Sequence, residues 1–332
     1  MTVVSILMAV LGVAGMVALV GFFGFGQVLH SLGEIGAGGF TAICALHLLL
    51  TAVMGLAWHA LLPGGKSWVA IWGRLVRDGS AEVLPLSQVG GYVVGARAVA
   101  IVGVSGTVAA ASTIVDVTLE FLAQLAYTAL GLAWLIHLQP DTEAAVPLAV
   151  GLAVGIAAGA AFVLVQRRSF FVFDLIARVL GQGWASKTAM GAAALHAALG
   201  DIYRRRGRLA VSFLLHFACW IGSAAEVWVA LHLAGQPLPF VTVVAIESLI
   251  YAVRTAAFIV PNAVGVQEGA YVVLGATVGV TPDMALALSL LKRARDMALG
   301  LPTLAVWQAI ESGRLLRCPR TQPATAVTAP RD

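Results

Sequence analysis

Six apolar runs dominate the chain: 2–28, 39–62, 117–138, 145–165, 209–233 and 281–310. Each approaches or exceeds the roughly 20 residues of helix that cross a bilayer's hydrocarbon core. A segment in lipid must satisfy its own backbone hydrogen bonds, so it folds as a helix or as part of a closed barrel. Long stretches of alternating polar and apolar residues are absent, which argues against an outer-membrane barrel. Of 332 residues, 60% are hydrophobic and 11% charged, whereas soluble domains carry about a quarter charged residues. The chain is predicted to be an all-α polytopic membrane protein. Its membrane domain is expected over 1–316 and a disordered Pro/Thr/Ala-rich tail over 317–332. The first run lacks a basic leader and a small-residue cleavage site, so it reads as a retained helix.

Basic residues set the orientation. Segment 63–82 holds Lys66, Arg74 and Arg77, segment 166–208 holds eight more, and the tail holds Arg314, Arg317, Arg320 and Arg331. The connections 29–38, 139–144 and 234–240 hold neither Lys nor Arg. The positive-inside rule then places the basic segments and both termini in the cytoplasm of a bacterial inner membrane. The net charge of +4 reflects topology and contact with anionic lipids, not a nucleic-acid footprint. SFFVFDLIARVL (169–180) is expected to lie at the cytoplasmic interface. Cys44, Cys219 and Cys318 form no CxxC pair, so neither a disulfide framework nor a metal site is indicated. No GxxxxGK[ST] motif occurs, and no nucleotide or other cofactor is expected.

This orientation leaves two regions oversized. Residues 83–138 and 241–310 must each change sides once, yet each holds more than one crossing needs. Three crossings in place of one would satisfy the parity, and a chain of eight transmembrane helices is one alternative. So would one crossing plus a re-entrant hairpin of half-helices, giving six full crossings and two hairpins. The residues favour hairpins, over 85–112 and 241–279. GGYVVGARAVAIVGVSGTVAAAS (90–112) is crowded with glycine, and FIVPNAVGVQEGAYVVLGA (258–276) is broken at Pro261-Asn262. Broken backbone at membrane depth is tolerated where it is buried in protein or lines a cavity. Arg97 precedes VGVSG (102–106), and Arg254 precedes VGVQEG (264–269). The two copies would enter from opposite faces, as in an inverted-repeat transporter.

Ionisable groups at membrane depth face a cavity or one another. Here they are Arg97, Asp116, Glu120, Glu226, Glu247, Arg254, Glu268, Lys292, Arg293, Arg295 and Asp296. Asp116, Glu120, Gln124 and Tyr127 share one helical stripe, and two carboxylates a turn apart require a cation between them. Arg97 and Arg254 are the expected cations. Ser212, His216, Cys219, Ser223 and Glu226 form a second seam, and Glu247, Tyr251 and Arg254 a third. Lys292 and Arg293 lie i+4 and i+3 from Asp296, a spacing that allows pairing within one helix. Arg97 and Arg254, each beside a glycine-rich break, also suit an anion such as phosphate. Asn262 frees backbone groups at the second break. Glu268, near the start of the following half-helix, suits a cationic partner or a headgroup amine.

Residues 84–124, FIVPNAVGVQEGAYVVLGA and LALSLLKRARDMALGLP together resemble the lysylphosphatidylglycerol-synthase transmembrane, or flippase-like, family. Within it the chain is similar to the hopanoid-biosynthesis-associated HpnL-type members. Larger members join this domain to a soluble aminoacyltransferase and move the lipid product between leaflets. The residues after 310 are too few for that transferase, so the resemblance implies the translocase half. It carries the family's polar positions onto Arg97, Asp116, Glu120, Glu268, Lys292, Arg293, Arg295 and Asp296.

Three functions fit these readings. One is a translocase, not an enzyme, that moves a phospholipid or hopanoid without ATP, as a single chain or an oligomer. Another is an intramembrane transferase with Glu268 or His216 as base. The third is a scaffold for lipid-synthesis enzymes, though a scaffold has little need of so many ionisable groups at membrane depth.

Overall fold

A computed structural model of the chain describes residues 21–22, 25–83, 87–138, 146, 149–164, 182–257 and 260–317. The regular elements among them are helices. In chain order they are α1 (Phe25–Leu61), α2 (Ser67–Val83), α3 (Ser87–Ile101), α4 (Gly106–Leu138) and α5 (Ala149–Leu164). Then come α6 (Gln182–Arg204), α7 (Arg206–Leu233), α8 (Phe240–Ala256), α9 (Val266–Ala276) and α10 (Pro282–Arg317). A short 3-10 turn, Pro261–Ala263, separates α8 from α9. Among the described residues, three helices are long and apolar enough to cross a membrane: α1 over Val28–Leu61, α4 over Gly106–His137, and α7. The chain is an all-α polytopic membrane protein. Most of the first apolar run, the 139–144 connection, the interfacial stretch 169–180 and the tail beyond 317 lie outside the described residues.

Helices α1, α7, α8, α9 and α10 share the largest apolar core, which includes Ile43, Leu231, Ile250, Met284 and Leu286 and which Tyr127 of α4 joins. α4 packs along α7 and α8. The outward faces are apolar as well: Leu49, Leu214 and Val273 are exposed, as expected of surfaces whose solvent is lipid.

Several boundaries differ from the expectation, each for a local reason. The presumed outer connection 29–38 is helical, and the direction changes at one residue, Gly36, with φ 65°. The presumed cytoplasmic segment 63–82 is mostly α2, a packed amphipathic helix with Arg74 and Arg77 buried. The first hairpin is therefore not 85–112. It is α2 against α3, residues 67–101, and the break at 102–105 only joins α3 to α4. Glycine explains this close pairing. A Cβ on Gly91 would lie 2.6 Å from the Arg77 carbonyl oxygen, and one on Gly95 would lie 2.7 Å from Arg77 Cβ. The second hairpin, α8 and α9, follows the expected 241–279 closely. Its break puts Asn262 at φ 51°, Ala263 at φ 46° and Gly265 at φ 82°. Only glycine, and to a lesser degree asparagine, takes such angles readily.

Candidate functional site

Where the hairpins face each other there is a cavity of about 420 Å³. Its walls come from α1, α2, α3, α4, α5, α7, α8, the 260–262 break and α10. Among the described residues, four arginines line it: Arg74, Arg77, Arg254 and Arg295. So do five carboxylates: Asp78, Glu82, Glu120, Glu226 and Asp296. Leu50, Met54, Phe121 and Phe162 add apolar surface.

The first hairpin's charges form one cluster with α4. Arg74 donates in a fork to Glu120, with Nη1 3.0 Å from Oε2 and Nη2 2.7 Å from Oε1. Its Nε donates to Asp78 at 2.7 Å. Arg77 donates to Asp116 Oδ2 at 2.8 Å and also to Glu120, and its guanidinium lies 4.6 Å from the centre of the Tyr92 ring. His216 Nε2 meets the other Asp116 oxygen at 2.9 Å. Asp116 and His216 are fully buried. The two carboxylates one turn apart do share cations, but these are Arg74 and Arg77, not Arg97 or Arg254. Residues read as cytoplasmic topology signals turn out to be the counter-ions.

The second hairpin's charges are matched to α10. Lys292 donates to Glu247 at 2.5 Å, Tyr271 donates to the other oxygen, and the ammonium faces the Tyr251 and Tyr271 rings. Arg293 Nε donates to Glu268 Oε1 at 2.6 Å, and Ser289 donates to the same oxygen. Glu268 Oε2 accepts from the Gly265 N–H at 2.6 Å, so it caps α9 as well as pairing with Arg293. Arg295 pairs with Glu226 and with its own neighbour Asp296, and His47 Nδ1 lies 3.0 Å from Glu226. The intrahelical pairing of Lys292 and Arg293 with Asp296 does not occur. A buried carboxylate from a neighbouring helix gives each cation a drier, closer partner.

The family model described as Lysylphosphatidylglycerol synthase TM region matches residues 4–302. The chain belongs to that family. No curated protein and no solved structure matches it.

Seen as a member of a lipid-related family, the chain divides the residues singled out above into three groups. Glu120, Glu226, Arg254, Asn262, Arg295 and Asp296 line the cavity. Asp116, Glu247, Glu268, Lys292 and Arg293 stand behind it in ion pairs. Arg97 lies elsewhere: its side chain is 59% exposed and bonds Glu311 at 2.9 Å on α10. Arg254 is no vacant anion site, because its Nη2 donates at 2.7 Å both to Glu82 and to the Asn262 side chain. Sequence reasoning missed His47, Arg74, Arg77, Asp78, Glu82 and Tyr92. The spacing of Arg74, Arg77, Asp78 and Glu82 is that of one helical face and was the available signal.

Proposed function

We propose that this family member is a flippase-like translocase of the bacterial inner membrane, with both termini cytoplasmic. In this reading it moves a polar-headgroup lipid, hopanoid-related by the HpnL-type likeness, between leaflets without ATP hydrolysis. The observation that carries it is the cavity, where four arginines and five carboxylates stand beside apolar side chains. Carrying a headgroup through hydrocarbon costs several kcal/mol or more per charge. A wall of paired charges lowers that barrier, because a headgroup can exchange partners with the wall and is never left unpaired. The transferase reading is weaker on geometry. Its candidate bases do not line the cavity: Glu268 is paired with Arg293, and His216 Nε2 lies 2.9 Å from Asp116. The test is a leaflet-resolved assay on purified protein in liposomes, using headgroup-labelled fluorescent phospholipid and a membrane-impermeant quencher. Movement should greatly exceed that of protein-free vesicles; equal rates would sink the proposal.

A further inference from the structure

Among the described residues the two hairpins pack mainly on other helices and not on each other: α2/α3 lean on α1, α4 and α10, and α8/α9 on α4, α7 and α10. Across the gap, among the described residues, one hydrogen-bonded contact joins them: Arg254 of α8 to Glu82 of α2. That contact is thinly made. Arg254 uses the same nitrogen, Nη2, for Glu82 Oε1 and for Asn262 Oδ1. Glu82 Oε2 is buried and has no hydrogen-bond partner. Elsewhere in the cavity the cations are tied more fully: Arg74 holds Glu120 with two nitrogens and Asp78 with a third. Arg77 spans two carboxylates.

We propose that Arg254 and Glu82 form a latch that holds the cavity closed, and that a phosphate-bearing group releases it by taking over the Arg254 guanidinium. This rests on the translocase reading and adds how its cavity opens. A phosphate presents several oxygens to the planar fork and can bond it in bidentate fashion, where Glu82 offers one oxygen to one nitrogen. Asn262 keeps its hold on Arg254 from the same hairpin, so release separates the hairpins without unfolding the break. Glu82 then turns to water or to a donor on the ligand.

A native thiol reports on this. Cys219 of α7 lines the cavity, is buried, and donates to the Leu50 carbonyl. With Cys44 and Cys318 replaced by alanine, the rate at which a charged methanethiosulfonate modifies Cys219 measures opening. In vesicles of a phosphate-free galactolipid, Arg254→Gln and Glu82→Gln should each raise that rate about tenfold, the worth of one charge-assisted contact. Glu82→Arg combined with Arg254→Glu should bring it back toward the parental rate. Phosphatidylglycerol vesicles should speed the parent but not the single variants. Inorganic phosphate added to galactolipid vesicles separates sources: no effect assigns release to lipid, and a matching rise assigns it to soluble phosphate. A parental rate in Arg254→Gln, a charge-exchanged variant as fast as the singles, or a parent indifferent to both phosphates would each overturn the latch. If the latch behaves as stated while the liposomes move no lipid, the latch stands and the translocase reading falls.

Discussion

The two hairpins meet the same problem, charge at membrane depth, in opposite ways. In α2/α3 the backbone is regular and glycine is spent on closeness, so Gly91 and Gly95 seat α3 directly on the Arg77 turn. The buried cations there, Arg74 and Arg77, are borne by the hairpin and meet Asp116 and Glu120 on α4, while α2 adds Asp78 and Glu82 of its own. In α8/α9 the backbone itself is broken, with three residues at positive φ in and beside the turn. There Glu247 and Glu268 of the hairpin take their cations from α10, and the hairpin's own Arg254 reaches Glu82 of α2. The comparison teaches that the first hairpin is fixed by packing and the second by a strained turn with ion pairs around it. Substitutions should therefore act on stability in the first, and in the second on stability at the turn and on lipid movement at its ion pairs.

The largest effect expected is from Arg77→Ala. It strips Asp116 and Glu120 of a shared cation and should cost on the order of 3–5 kcal/mol, read as a lower melting temperature in detergent. A variant melting with the parent would break the comparison at its firmest point. Gly95→Ala forces a methyl to within 2.7 Å of Arg77 Cβ and 3.1 Å of the Gly73 carbonyl oxygen. Overpacking of this kind costs roughly 1–3 kcal/mol, and thermal unfolding against Gly38→Ala, where nothing lies within 4 Å, isolates it.

In the second hairpin, Glu268→Gln should fold and insert yet move lipid at least about tenfold more slowly, a loss near 1.4 kcal/mol. The effect would be indirect, through the Arg293 pair and the α9 cap that hold the break beside the cavity. Transport by preparations matched for melting temperature decides this, and parental transport would show that the break does not depend on that pair. Ala263→Gly relieves an alanine held at φ 46° and should stabilise by about 1 kcal/mol, with the gain visible in the same melting curves. The smallest effect belongs to Arg97→Ala. Its pair with Glu311 is exposed on one side, and such pairs are worth under about 1 kcal/mol; a larger loss would bring Arg97 back among the working residues.

Legibility from sequence followed the same divide. The seam Ser212, His216, Cys219, Ser223 and Glu226 was readable because it interrupts an apolar helix at regular spacing, and all five residues are buried. The second break was readable because Pro261-Asn262 and Gly265 impose it locally. Arg74 and Arg77 were hidden: in a basic segment that follows an apolar run, a buried arginine and a cytoplasmic one look alike until a partner is known. The glycines at 91 and 95 were misread as a break, since sequence shows the missing side chain but not the backbone that fills its place. Which carboxylate Lys292 or Arg293 takes is a matter of neighbouring helices, and no spacing within α10 specifies it.

The matching of α10 to earlier helices also bears on how the protein is made. Lys292, Arg293 and Arg295 each oppose partitioning into lipid by about 2.5–3.5 kcal/mol near a helix centre, and α10 is not among the helices apolar enough to cross unaided. Their partners Glu226, Glu247 and Glu268 are translated first. The final helix thus enters a membrane where three acids already stand without cations, and insertion and assembly become one step. A nascent chain halted at residue 280 should be held by membrane chaperones and cleared by quality-control proteases, whereas one released at 317 should escape both. Pulse-chase degradation of the two lengths would show whether synthesis of the last helix is the moment at which the protein becomes durable.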